Sequence, residues 1–285
     1  MNWVPLFFID AVCHQLKHDS FKQVTQLSRD WSKFGAEHNK KRREFEFSCQ
    51  VDGTKSIYCI EENKNKTYPT VTVADLNIDF DRITSITLGA LNGIIKQWTE
   101  DVPLDALELD VIPTVASILT NCFSWTGSKH PIFLKAFKNC PKFNKITFKE
   151  HGQESRDFVV RQVELGNVET LQLHVRESDA WPQPQKLADT LETFVNSARF
   201  YQLTFDGTFP DDIKLCALFL KRALAGELKP FSFILMKNIT TDAIHWINSQ
   251  HSEFGESSMI ARRIPNSNRK VMLQRLGTLL RIKVQ

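Results

Sequence analysis

The chain lacks most of the signatures by which a sequence declares an enzyme. Its 11 glycines are scattered, and no GxGxxG or GxxxxGK[ST] run occurs, so no backbone loop is set up to cradle phosphate. No GxSxG elbow is present to lift a serine nucleophile. The acids cluster in "DALELD" and "PDD" without a spacing that pairs a general acid with a base, and read as solvated loops. The expectation is a non-catalytic protein with no cofactor.

Cysteine is sparse too. Cys13, Cys49, Cys59, Cys122, Cys140 and Cys216 form no CxxC pair and no dense framework, which reads as reduced, mostly buried thiols of a cytoplasmic or nuclear protein. Cys49 and Cys59 flank a hairpin and are the one pair for which a bridge is considered. No apolar run approaches the roughly 20 residues of a spanning helix. The opening "WVPLFFIDAVCHQL" has no basic flank, is interrupted by Asp10, and is followed by no small-residue cleavage pattern, so it is not read as a signal peptide. The N-x-[ST] matches at Asn65 and Asn238 are then chance.

What is present is ordinary for a globular chain: 285 residues, 42% hydrophobic and 24% charged, with 21 Phe among the aromatics. The net charge of +3 is small but uneven. Residues 259–285 hold Arg262, Arg263, Arg269, Lys270, Arg275, Arg281 and Lys283 with no acid; the remainder is net acidic. Such a tail folds back on the body or meets an acidic partner. Together with "HNKKRREFEF" (38–47) it makes two basic clusters, but aromatic interleaving is missing and nucleic acid is not expected as a partner.

Periodicity divides the chain. Residues 5–18 repeat Phe8, Val12 and Leu16 on one helical face, with Ile9 and Cys13 beside them, and Pro5 stands where the first turn tolerates it. Short helices follow over 20–28 (Phe21, Val24, Leu27) and 29–43 (Trp31, Phe34), the last ending in "KKRR". From residue 45 the period drops to two. "REFEFSCQV", Asp52-Gly53 and "SIYCIE" read as strand, turn and strand, and "NKNKTYP" as a loop. Strand-like stretches then recur at 83–89, 106–112, 145–151, 169–175, 201–207 and 231–237. Between them lie helical patterns: "LNGIIKQW", "PTVASILTNCF", "IFLKAFKNC", "DFVVRQVEL", "KLADTLETFVNSARF" and "DIKLCALFLKRAL". Each unit has one apolar strand and one amphipathic helix and cannot bury its apolar face alone, so the units should stack. "KVMLQRLGTLLRIKV" (270–284) is read as an amphipathic helix, with Val271, Leu273, Leu276, Leu279 and Ile282 closing the body. The expected fold is α/β: a helical module over 1–45 and an irregular β–α repeat body over 46–285. The alternative is a single α+β domain.

Two local constellations invite chemistry and are weighed down by geometry. His14 and His18 share a helix face, but Gln15 stands where a zinc protease needs Glu, and no third ligand is evident nearby. Cys13 and His14 are adjacent on a helix and point about 100° apart, too far for a thiol–imidazole pair. No metal site is expected.

The opening resembles an F-box. The resemblance is carried by Val4-Pro5, an apolar first helix (Phe8, Ile9, Val12, Leu16), a polar break at 17–20, a second apolar set (Phe21, Val24, Leu27), Ser28, and Trp31 followed by Phe34. The pattern "VPLFFIDAVCHQL…LSRDWSKF…HNKKRREF" is similar to the opening of a group of nematode F-box-like proteins. Val4 replaces the usual Leu and the second helix is short. The body resembles leucine-rich-repeat bodies by rhythm, without their Asn ladder. The resemblance implies an adaptor of a cullin ubiquitin ligase. Val4, Pro5, Phe8, Ile9, Val12 and Leu16 would contact a Skp-type protein, Leu27 and Trp31 would contact it or hold the helices together, and the body would recruit a target protein. The competing expectation is an interaction scaffold, independent of any ligase, whose opening helices pack on its own body.

Overall fold

The computed structural model describes residues 4–16, 18–27, 29–62, 71–89, 100–125, 131–149, 152–175, 184–207, 211–250 and 257–285. The expected helix "LNGIIKQW" and the loop "NKNKTYP" lie outside these residues. No helix among the described residues is long and apolar enough to cross a membrane. The chain is a mixed α/β protein that divides into two compact units, Met1–Cys122 and Phe123–Gln285. The unit holding the opening helices thus runs well past the expected boundary at residue 45.

The first unit opens with α1 (Leu6–Gln15), α2 (Phe21–Val24) and α3 (Arg29–Lys41). Pro5 lies just before α1, where its carbonyl accepts from the amides of Phe8 and Ile9 at 3.0 and 3.2 Å; its missing N–H costs nothing at a helix start. Ile9, Cys13, Phe21 and Val24 make the buried core of the three helices, with Val4, Leu16, Trp31 and Phe34 packed partly buried against it. α3 comes close to α2 at Gly35, where a Cβ would lie 2.7 Å from Cγ1 of Val24. The glycine is there for the approach: any larger residue pushes the helices apart.

β1 (Glu44–Asp52) and β2 (Lys55–Glu62) form the expected hairpin, with Asp52 opposite Lys55. Gly53 takes φ +59° in the two-residue turn, a conformation that side chains oppose. β3 (Arg82–Leu88) lies parallel to β1, and β4 (Glu100–Pro103) antiparallel to β2. Cys49 pairs with Tyr58 and Cys59 with Ser48. The two thiols therefore project from opposite faces of the hairpin, and both are free, so the considered bridge cannot form.

Residues 106–112, expected as a strand, are helical: α4 (Leu104–Ala106), a π turn (Leu107–Val111) and α5 (Ile112–Ser117). Leu107, Val111, Ile112 and Val115 are buried while Leu109 is 73% exposed. The apparent alternation in "ALELDV" was the start of a helical stripe. The expected helix "PTVASILTNCF" ends at Ser117 and gives way to β5 (Leu119–Trp125), which joins the edge of β3 through a 3.0 Å bond from the Ile83 amide to the Ile118 carbonyl.

The second unit contains the predicted β–α alternation. β6 (Phe143–Lys149), β7 (Thr170–His174), β8 (Gln202–Asp206) and β9 (Phe233–Lys237) are parallel neighbours in chain order. They alternate with α6 (Pro131–Phe137), α7 (Gln153–Glu164), α8 (Pro184–Asn196), α9 (Asp212–Leu224) and α10 (Thr241–Gln250). Consecutive helices pack side by side, α6 on α7 through α9 on α10. That is the outcome when every crossover has the same hand. The strands turn Ile146, Phe148, Leu171, Leu173, Leu203, Phe205, Ile234 and Met236 into the core. Phe148 stacks on Phe158 of α7 at 6.1 Å between ring centroids, and Phe200 meets Phe219 of α9 at 5.9 Å.

The carboxyl end corrects the sequence reading. Residues 270–284 are not a helix but a hairpin, β11 (Lys270–Leu276) and β12 (Leu279–Val284), with β10 (Ser257–Arg263) beyond. β12 runs antiparallel to β9. The buried set is Val271, Leu273, Leu280, Ile282 and Val284. It alternates strictly on each strand, and Gly277 supplies the turn at φ +58°. Leu276, expected inside, is 53% exposed. In a short segment broken by Gly277-Thr278, period two outweighs the helical reading.

Candidate functional site

Two features of the first unit stand out: an exposed apolar face on the opening helices, and a buried polar cluster beneath them. Amphipathic α1 turns Ile9 and Cys13 inward, at 1% and 0% exposure. The first turn leaves Leu6, Phe7 and Phe8 at 51, 77 and 50% exposure, and Leu27 after α2 is 57% exposed. Phe8 meets Trp31 of α3 edge-on at 6.5 Å. Of the residues the sequence nominated, Phe8 and Leu27 are exposed. Val4, Pro5, Val12, Leu16 and Trp31 are half-buried, and Val4, Leu16 and Trp31 pack against the module's core. Ile9 is inside that core and has no surface to offer a partner. Leu6 and Phe7, more exposed than most of the nominated set, were overlooked because they lie off the i, i+4, i+8 stripe that defined it.

The polar cluster joins α1 to α3. Asp10 Oδ1 accepts from Nε2 of His38 at 2.7 Å, and Asp10 Oδ2 lies 3.3 Å from Nε2 of His14. His38 is 1% exposed, stacked near Phe21 and tilted against Phe80. A guanidinium N–H of Arg82 donates to Nδ1 of His14, which fixes the His14 proton on Nε2, facing Asp10. Arg82 also donates to the carbonyls of Ile78 and Asp79. Arg42, 3% exposed, donates to the carbonyls of Cys13, His14 and Leu16 at the end of α1, with its guanidinium 4.8 Å from the Phe21 ring. A cation there satisfies orphan carbonyls and the negative end of the helix together. Burial pushes both guanidinium groups below their ordinary value, yet far from a neutral form. Cys13 beside them is pushed up, by burial first and then by the Asp10 charge, and is a packing residue.

Asp10, His14 and His38 bring three potential ligand atoms within 4.8 Å of one another, a grouping the sequence did not reveal. Their surroundings do not fit a metal ion. A metal-bound imidazole donates its second N–H to an acceptor. Here the second nitrogen of His14 faces the Arg82 donor, and Nδ1 of His38 has no partner among the described residues. The cluster is an electrostatic tie between two helices.

Two members of the basic run at 40–43, Arg42 and Arg43, are consumed internally, while Lys40 and Lys41 stay exposed. Besides Arg42, Arg43 forms a forked pair with Asp81 at 2.6 and 2.9 Å. Its guanidinium is raised above the ordinary value by that hydrogen bond. In the second unit Arg269 is tied to the carbonyls of Leu228 and Gly226 at 2.8 and 3.2 Å. Such cations are structural links and are not arrayed for a phosphate backbone.

No protein-family model matches the chain, and no curated protein matches it. Among solved structures, a domain described as a precorrin-6Y C5,15-methyltransferase from Corynebacterium diphtheriae aligns over 58% of this chain and 86% of its own, at 13% identity and a TM-score of 0.20. A likeness of that size carries no argument about fold or activity.

Proposed function

We propose that the protein is a non-catalytic adaptor whose opening helices dock on a Skp-type subunit of a cullin ubiquitin ligase and whose body recruits a target protein. The observation that carries the reading is the apolar surface left over on α1: Leu6, Phe7 and Phe8 are at least half exposed while Ile9 and Cys13 already fill the core. Exposed apolar side chains gathered in one helical turn are explained by a partner. The Pro-led first helix and the Trp31–Phe34 pair supply the F-box resemblance. The sequential parallel strands of the second unit, each about 30 residues from the next, support a leucine-rich-repeat-like body. The test is capture of purified Skp-type adaptor by the whole chain. Phe7→Asp with Phe8→Asp abolishes capture while the chain stays folded; capture undiminished by both changes overturns the proposal.

The scaffold reading retains one supporting observation. Arg82 and Phe80, from beyond the opening helices, grip the His14–His38 edge of the module, so these helices belong to their compact unit whether or not a ligase is engaged.

A further inference from the structure

The helix layer of the second unit covers one face of its parallel sheet. The other face is built by the alternate residues, and the registers place them in rows. Lys149, His174, Asp206 and Lys237 form one row; Thr147, Gln172, Thr204, Leu235 and Arg281 the next; Lys145, Thr170, Gln202, Phe233 and Lys283 a third. Among the described residues of these rows the only carboxylate is Asp206. It is already held by Lys237 at 2.7 Å and His174 at 3.3 Å. Lys145 and Lys149 are exposed. Neither they nor Arg281 or Lys283 has an ion-pair partner among the described residues. Nε of Arg281 is shielded from solvent and has no hydrogen-bond acceptor among the described residues.

We infer that this face binds an extended acidic segment of a protein. The chemistry argues for a carboxylate-bearing chain. A carboxylate is the ligand whose geometry fits the guanidinium fork. Arg281 opposite Leu235 and Lys283 opposite Phe233 match an extended segment whose facing positions, i and i+2, carry an acid and an apolar residue in turn. The Arg281 guanidinium lies over the Phe233 ring at 5.1 Å and the Lys283 ammonium 5.3 Å from the Phe231 ring, which stays 57% exposed; stacking of nucleic-acid bases is therefore the competing occupancy that the experiment has to exclude. The inference deepens the adaptor reading by giving the target-binding face a chemistry, and rests on that reading for its role.

The experiment uses the whole chain and a fluorescein-labelled peptide of Glu-Ser-Leu-Ser repeats, which when extended carries glutamate and leucine in turn on one face, read by anisotropy. A lysine–leucine peptide, oligothymidylate and phosphatidylserine vesicles serve as competing probes. The acidic peptide binds, and Arg281→Gln with Lys283→Gln weakens it about tenfold, the loss of roughly 1.4 kcal/mol. Lys145→Gln with Lys149→Gln, on exposed side chains that no packing depends on, weakens it in the same direction and guards against a folding defect in the first variant. Lys40→Gln with Lys41→Gln in the first unit changes nothing. Absence of binding, binding indifferent to both sheet-face variants, or oligothymidylate or vesicles binding as tightly and losing as much in the variants overturns the inference. The two readings fail separately: sheet-face variants keep Skp-type capture, and Phe7→Asp with Phe8→Asp keeps peptide binding.

Discussion

Asp10 on α1 and His38 on α3 share a 2.7 Å hydrogen bond that ties the first helix of the chain to the third. Asp10→Ala leaves the buried His38 imidazole without its acceptor and removes the anion that His14, held from its other side by Arg82, faces. The expected loss is about 1–3 kcal/mol, measured by urea denaturation of the whole chain. A change within a few tenths of a kcal/mol shows the tie to be idle.

The same cluster makes a prediction about metal. Added zinc leaves the melting temperature unchanged, because the second nitrogens of His14 and His38 lack the acceptors that a bound imidazole uses. A rise that grows with zinc concentration, and disappears in His38→Gln, establishes a site instead.

Gly35→Ala tests the contact between α2 and α3. In an open helix the change stabilises by about 1 kcal/mol. Here the new methyl group meets Val24 at 2.7 Å, and the expected net effect is destabilising by about 1–3 kcal/mol. Val24→Ala in the same chain recovers part of the loss. Recovery in the double variant, read from thermal melts, separates steric conflict from any effect of helix propensity.

The Asp206 carboxyl is held below the usual range by the hydrogen bond from Lys237 first and then by His174. A depressed carboxylate stabilises the native state fully above its unfolded value of about 3.9, and that contribution disappears as pH falls through the lower native value. The Asp206 midpoint, followed by NMR, therefore lies below that of an unfolded aspartate, and Lys237→Met raises it. A midpoint unmoved by that change removes Lys237 as the cause.

Thiol reactivity ranks by burial. Burial drives the thiols of Cys49 and Cys216 up, and Cys59 is pushed up to about 12 by burial and the nearby Glu61. Of Cys13, Cys49, Cys59, Cys140 and Cys216, Cys140 alone is partly exposed and reacts before the other four with a thiol reagent at neutral pH. Peptide mapping of the labelled protein identifies the position.

The sequence was most legible where one period ran long enough to outvote noise. The helical stripe of α1, the alternation of β1 and β2 about Asp52-Gly53, and the strands β6 to β9 with their intervening α7 to α9 all follow from spacing. It was least legible at 106–112 and 270–284. The first is a short run whose alternation is also the opening of a helical stripe; only the burial of Leu107, Val111 and Val115 decides between them. The second contains a glycine whose positive φ makes it a turn. Strands β4 and β10 and helix α10 were missed. In the site, Phe8 and Leu27 were read as surface, while Ile9 shared their apolar character and faced inward.

The sequence by itself determined the alternation of strand and helix and the amphipathic opening, because these are written in neighbours a few residues apart. It also determined that no phosphate loop or serine elbow is present. Only the tertiary structure decided that Asp10, His14, His38 and Arg82 converge, that Arg42 and Arg43 are consumed internally, and that Arg281 and Lys283 lie in register with Leu235 and Phe233. Those relationships depend on chain segments brought together by packing, and no local pattern encodes which buried faces will meet.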